Sequence, residues 1–234
     1  MNDQANPNLT LMRRLLPLFA AAFLGTLLPS TAEADDPAFA LGAFATADNF
    51  AATGGIEGRI RLPHAQLSLR AEGGRARDAF VAGYAVEDAA LSRVTFETRL
   101  PAGTVGAARF GVHLSAGGRF ARGGVGNAPE GPSRALELGL GLIATIPVRS
   151  RGAFRAGVLV PFSLEIAPEV VNDVQGALLT LGGAVALGDR LWLQGQIDTG
   201  GIFGADGDSG KFLFRGTLTI RGLFGSTTRD WLTF

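Results

Sequence analysis

The residues most able to do chemistry are a histidine and a serine two positions apart, His113 and Ser115. On a β-strand, alternate side chains share a face, so the imidazole and the hydroxyl would point the same way. Glu137 falls on the next strand of the pattern described below, on the same side of the sheet. A serine, a histidine and a carboxylate can form a hydrolytic triad, in which the histidine accepts the serine proton and the acid orients the histidine.

This arrangement is similar to that of the outer-membrane lipid A deacylase family, in which a His-x-Ser pair on one strand works with a Glu on the next. The resemblance implies Ser115 as nucleophile, His113 as base and Glu137 as the group that orients the base. It covers these three residues only. Ala116 stands where that family has Asn, and the spacing to Glu137 is long.

A larger set of candidate residues is polar and alternates with apolar residues along predicted strands, which places it on the inner face. The set comprises Arg109, His113, Glu137, Arg155, Glu165, Gln194, Gln196, Asp198, Arg215 and Arg221. Because an unpaired buried charge is very costly, the two charge signs are expected to pair and form a plug. A polar path for a small solute is the alternative, because inward glycines leave space. These are Gly111, Gly139, Gly141 and Gly157.

The elements that carry these residues are predicted strands with a two-residue hydrophobic period. In 135–148 the even-numbered positions are apolar, and 154–166 and 212–224 repeat the pattern. The phase changes within 56–72 at Pro63, which predicts a bulge or kink there, or two short strands. With the weaker runs the sequence predicts ten strands. The weaker runs are 38–48, 56–72, 79–88, 92–100, 105–117, 174–187 and 190–203.

Strand length and connection length both indicate a membrane barrel. The clearest runs far exceed the about 5–6 residues usual in soluble sheets and suit a tilted membrane strand. Short connections alternate with longer ones, a pattern typical of outer-membrane barrels, and only 89–91 departs from it. The short ones are predicted at 73–78, 101–104, 149–152 and 188–189. The long ones are predicted at 49–55, 118–134, 167–173 and 204–210.

The N-terminal region is typical of a secretory signal. Arg13 and Arg14 precede an apolar stretch, Leu15 to Leu28, which is shorter than the about 20 residues of a spanning helix. The small residues at 32 and 34 predict cleavage after Ala34. The chain then divides into a signal peptide, 1–34, and a barrel domain, 35–234. Either Met1 or Met12 can be the start.

Composition excludes several classes of function. Lys and Arg total 21, as do Asp and Glu, so net charge gives no reason to expect a nucleic-acid partner. Cysteine is absent, which excludes disulfides, thiolate catalysis and a lipoprotein anchor. The acidic turn 206–210 lacks the carboxylates that a calcium site needs, so no metal and no cofactor are expected.

The signal, the lack of cysteine, the amphipathic strands and the aromatic end together resemble bacterial outer-membrane β-barrel proteins of the small porin-like and OmpA- or OmpX-like superfamily. The resemblance implies an all-β, antiparallel up-and-down transmembrane barrel of about ten strands, with eight or twelve as alternatives. It implies a lipid bilayer, lipopolysaccharide and the outer-membrane assembly machinery as partners. The final strand of such proteins ends in Phe, which is Phe224 here, or alternatively Phe234.

The sequence therefore predicts an outer-membrane protein with a structural or surface-interaction role, a largely closed polar lumen and an unknown extracellular ligand. The alternatives are a narrow channel for small solutes, a lipid A deacylase-like hydrolase through His113 and Ser115, and a secreted soluble β-protein. Trp192, Tyr84 and Trp231 are expected either at the membrane interface or in ordinary packing.

Overall fold

The computed structural model describes residues 38–81, 84–122, 133–149, 151–167, 171–203 and 210–224. They form ten antiparallel strands, each paired with its neighbours in the sequence, and the first and last strands pair to close a barrel. The predicted fold class is confirmed. The strands are β1 (Ala38–Asp48), β2 (Ala51–Leu62), β3 (Ala65–Val81), β4 (Tyr84–Val105), β5 (Ala108–Arg122), β6 (Ser133–Val148), β7 (Gly152–Ala167), β8 (Val171–Ala186), β9 (Leu191–Phe203) and β10 (Lys211–Phe224). Among the described residues, no helix is long and apolar enough to cross a bilayer.

The apolar positions of the alternating strands lie on the outside of the barrel. In β6, Leu140 and Leu142 are 42% and 51% exposed, whereas Ile143 and Thr145, on the opposite face of the strand, are buried. The same alternation recurs on β7, β8 and β10. Soluble monomers rarely expose so much apolar surface, whereas a barrel in a membrane buries it against lipid hydrocarbon.

Exposed phenylalanines lie near both ends of the barrel wall. Phe39, Phe154 and Phe224 lie near the end where β1 begins and β10 ends, here called the terminal end. A matching group lies near the opposite end, here called the far end: Phe120, Phe203 and Phe212. Two aromatic belts that flank an apolar band are the pattern of a membrane-spanning barrel.

Strands β2 to β4 differ from their predicted bounds, although the total of ten strands is unchanged. The run 56–72 is two strands joined by a turn at Pro63 and His64. Proline has no N–H to donate to a ladder, which favours a turn at this position. The run 79–88 is not a strand of its own, because it spans the end of β3 and the start of β4. The run 56–72 adds one strand to the predicted number and the run 79–88 removes one, so the total stays at ten.

The long strand β4 also corrects the predicted turns. The sequence predicts a turn at 101–104, but the chain stays in the sheet there and forms a β-bulge between Pro101 and Gly103. The turn comes later, where Gly106 has a φ of 58° that glycine adopts without strain. The predicted connections 73–78 and 89–91 lie inside β3 and β4.

The seam of the barrel is an unbroken ladder between β1 and β10, from Phe39 opposite Phe224 to Asp48 opposite Arg215. Phe224 is the last residue of the last strand, as the alternation of 212–224 predicts. Phe234 and the signal segment 1–34 lie outside the described residues.

The first prediction tests whether the exposed apolar band faces lipid. Leu140→Arg places a charge in the middle of β6 and should cost about 2–4 kcal/mol of folding free energy near the bilayer midplane. Val105→Arg is the matched control, since Val105 is 71% exposed but lies at the last residue of β4. The fraction with heat-modifiable mobility on gels after refolding into lipid vesicles should fall for Leu140→Arg only. Equal loss in both variants would contradict the lipid-facing band.

The second prediction tests whether β10, which ends at Phe224, is the strand that closes the barrel. Because β10 pairs with β1 up to Phe224, deletion of 226–234 should leave a heat-modifiable protein in the membrane fraction. Phe224→Ser should reduce the assembled fraction more than Phe234→Ser, since Phe224 is the last residue of the closing strand β10. The reverse order would show that the tail takes part in closure.

Candidate functional site: the barrel lumen

A chain of alternating charges crosses the inner wall toward the far end. Arg93 on β4 binds Glu72 on β3 and Glu137 on β6, each at 2.6 Å. Arg119 on β5 binds the same Glu137 at 3.5 Å and Glu165 on β7 at 3.2 Å. Each inner arginine thus neutralises two carboxylates from different strands, which ties β3 to β7 together from inside.

A second group of charges centres on Glu57 of β2, which is 3% exposed. Its carboxylate accepts a hydrogen bond from Arg221 Nε and forms ion pairs with Arg59 at 3.3 Å and Arg70 at 3.9 Å. One carboxylate therefore faces three guanidinium groups from β2, β3 and β10. This group, Glu57 with Arg59, Arg70 and Arg221, is called the Glu57 hub.

The Glu57 hub spans the seam because the strand between its members carries a glycine. Gly42 of β1 lies opposite Glu57 on one side and opposite Arg221 on the other. A Cβ atom at Gly42 would lie 2.8 Å from Arg221 Cγ and 2.7 Å from the carbonyl oxygen of Ile220. Any larger residue would therefore displace the arginine, so glycine is needed for the two side chains to meet over β1.

Through Arg70 of β3 the hub reaches a second glutamate, Glu97 of β4. Arg70 donates to Glu97 at 3.3 Å and stacks on the ring of Phe44, 4.0 Å from its centroid. Ser68 also donates to Glu97 at 3.3 Å. Gly55, opposite Phe44 in the ladder, leaves the space that the ring fills. Aromatic packing over a strand glycine fixes the register at this point.

Near the terminal end Trp192, which is 2% exposed, lies on the inner face of β9. The guanidinium groups of Arg155 and Arg221 lie over its ring, and both donate to Gln194 at 3.0 and 2.7 Å. The ring packs in a cluster of small and apolar residues, the Trp192 cluster: Ala38, Ala40, Ala153, Ala184, Trp192 and Leu223. Trp192 thus packs inside the barrel, while Trp231 and the side chain of Tyr84 lie outside the described residues.

Above the Trp192 cluster lies a cavity of about 340 Å³. Its lining runs from Asp48 and Phe50 at the far end down to Arg221, and includes no member of the Trp192 cluster. One side carries the charges of β2 to β5. The other side, from β6 to β10, carries six apolar residues, Ile143, Leu159, Pro161, Leu178, Ile202 and Leu213, here called the apolar wall, beside polar residues of β9 and β10 such as Asp198 and Arg215.

The residues predicted from sequence fall into three places. The cavity is lined by His113, Glu137, Gln194, Gln196, Asp198, Arg215 and Arg221. Arg155 and Glu165 are buried inside the barrel but do not line the cavity, and Arg109 is exposed near the start of β5. Asp198 accepts two hydrogen bonds from Arg215, at 3.0 and 2.8 Å. In the described part of the chain, no group of three or more His, Asp and Glu side chains could hold a metal ion; residues 206–209 lie outside it.

The three residues of the proposed triad are not brought together as a triad. His113 and Ser115 both line the cavity, but Glu137 lies opposite Gly117, four positions from His113 along β5. Arg93 and Arg119 hold its carboxylate. Among the described residues, no hydrogen bond joins His113 to Ser115 or to Glu137. The geometry gives Glu137 the role of an ion-pair partner.

The charges of β2 to β5 were missed by the sequence reasoning. They are Glu57, Arg59, Arg70, Glu72, Arg93, Glu97, Arg99 and Arg119. The signal was present as charges two residues apart, such as Glu57 with Arg59 and Arg70 with Glu72. Odd positions point inward before the turn at Pro63 and even positions after it, so one continuous strand could not place both pairs inside.

No protein-family model and no curated protein matches the chain. Among solved structures it is similar to the β domain of the Bordetella autotransporter BrkA, at 11% identity and a TM-score of 0.45, covering 80% of this chain and 99% of that one. It is similar to an outer membrane channel from Pseudomonas putida F1, at 12% identity and a TM-score of 0.42, covering 84% and 97%. It is also similar to OmpT of Vibrio cholerae, at 13% identity and a TM-score of 0.33, covering 74% of this chain and 56% of that one. This chain therefore spans about half the length of OmpT. These structures are all bacterial outer-membrane proteins.

Proposed function

We propose that this chain is an exported bacterial outer-membrane barrel that does not conduct solutes and acts as a structural or surface-interaction protein. Residues 1–34 are removed on export, and 35–234 form the barrel domain. The terminal end faces the periplasm, which accords with the short turns after β2 and β4 there. The far end then faces outward with its cavity, and lipopolysaccharide and the assembly machinery are the expected partners.

The observation that supports a closed barrel is the Trp192 cluster at the terminal end. Its members are buried, so little water reaches the space between them. Above it, the charges that could line a solute path instead bind one another in the Glu57 hub and along the Arg93–Glu137–Arg119 chain. A barrel whose lumen is closed at the terminal end accounts for the buried Trp192 cluster and for the paired inner charges better than an open channel does.

Hydrolysis is not part of the proposal, because the carboxylate that would orient His113 is engaged elsewhere. Glu137 binds two arginines, and moving it toward His113 would leave the charges of Arg93 and Arg119 without this partner. The interior is better suited to rigidity than to proton transfer.

Planar-bilayer recording tests the closed barrel. If the Trp192 cluster blocks the lumen at the terminal end, the wild-type protein should insert without steady conductance. Trp192→Ala should give resolved open-channel events, since it removes the largest side chain of that cluster. Trp231→Ala is the matched control and should stay silent. Steady wild-type conductance would contradict the proposal, and a silent Trp192→Ala would show that this cluster is not the barrier.

A further inference from the structure

The part of the lumen next to the Trp192 cluster holds more positive than negative charge. The arginines there are Arg59, Arg70, Arg99, Arg155 and Arg221. The carboxylates that meet them are Glu57 and Glu97. Among the described residues, these arginines outnumber the carboxylates that bind them, so their positive charges repel one another. An anion placed among them would relieve this repulsion.

Two of these arginines line the cavity and also have buried N–H donors without a hydrogen-bond acceptor. Arg99 Nε and Nη1, and Arg59 Nε, are buried and have no hydrogen-bond acceptor. A buried donor without an acceptor is costly, most of all on a charged group. Arg59, Arg99 and Arg221 all line the floor of the cavity. Carboxylate and phosphate oxygens are the acceptors that guanidinium groups bind best.

The apolar wall rises beside this floor and faces the same cavity. Leu178 and Leu213 of the wall are nearly fully buried. A small inorganic anion would contact the arginines but leave the apolar wall unused. The cavity volume of about 340 Å³ falls within the roughly 300–1,000 Å³ typical of small-molecule pockets. Floor and wall together fit a ligand with an anionic head and an apolar tail.

We propose that the cavity binds an anionic amphiphile with a single alkyl chain. Its carboxylate or phosphate head lies among Arg59, Arg99 and Arg221, and its chain follows the apolar wall toward the far end. This binding goes beyond the proposed function, since a closed structural barrel needs no ligand.

Calorimetric titration of the full barrel in phosphatidylcholine nanodiscs tests the proposal, with empty nanodiscs to subtract partitioning. The probes are octanoate, octyl phosphate, butanoate and octyltrimethylammonium. At least one octyl anion should bind, the tighter of the two identifying the head group, and the cation should not. Each buried methylene contributes about fourfold in affinity, and octanoate has four more methylenes than butanoate, so butanoate should bind at least about tenfold more weakly even if only two of the four are buried. Equal affinities for butanoate and octanoate, or for the anions and the cation, would overturn the proposal.

The variant Arg99→Gln identifies the head-group site. Arg99 forms no ion pair with a described carboxylate within salt-bridge distance, so its removal should leave the heat-modifiable mobility intact while octyl-anion affinity falls about tenfold or more. Arg109→Gln is the matched control, because Arg109 is exposed near the start of β5 and does not line the cavity. Unchanged affinity in a folded Arg99→Gln protein, or equal losses in both variants, would overturn the assignment.

Discussion

A charged side chain on the inner face of this barrel has lipid behind its strand and a narrow lumen in front of it, so it is stabilised by an opposite charge, which in most of the ion pairs comes from another strand. The low dielectric makes an unpaired charge very costly. Glu57 shows the result most clearly, since it meets arginines from β2, β3 and β10. The pairing depends on strand register, because a slip of one residue would turn these charges toward lipid.

Closure of the barrel and neutralisation of its charges support each other at the seam. The backbone ladder of β1 and β10 brings Arg221 beside Gly42, and the ladder of β1 and β2 brings Glu57 to its other side. Only a residue without a side chain leaves room for the two to meet. The seam is therefore held both by backbone hydrogen bonds and by an ion pair that crosses a whole strand.

The sequence predicts best where one face of a strand is uniformly apolar. β6, β7 and β10 follow their predicted runs closely, because large aliphatic side chains mark the lipid face. In β2 and β3 glycines and alanines replace many of these side chains, so the phase change at Pro63 was the main cue and did not decide between a bulge and a turn. The position of Trp192 between Arg155 and Arg221 depends on the packing of three strands, which no single run of sequence encodes.

The same pairing divides the lumen into regions of different character. Toward the far end Arg93 and Arg119 each bind two carboxylates, whereas near the Trp192 cluster arginines exceed carboxylates. A barrel that served only as a rigid support would gain nothing from that excess, because repulsion among arginines lowers stability. The excess and the apolar wall beside it are the features that connect this fold with a ligand.

The most direct measurement is a double-mutant cycle on Glu57 and Arg221, using urea unfolding in lipid vesicles to obtain the free energy of unfolding. Glu57→Gln should cost about 3–5 kcal/mol, because it leaves three arginines without their shared carboxylate. Arg221→Gln should cost less, since Arg59 and Arg70 still neutralise Glu57. The double variant should cost clearly less than the sum of the single variants. Additive costs, or a larger cost for Arg221→Gln than for Glu57→Gln, would contradict the view that paired inner charges hold this barrel together.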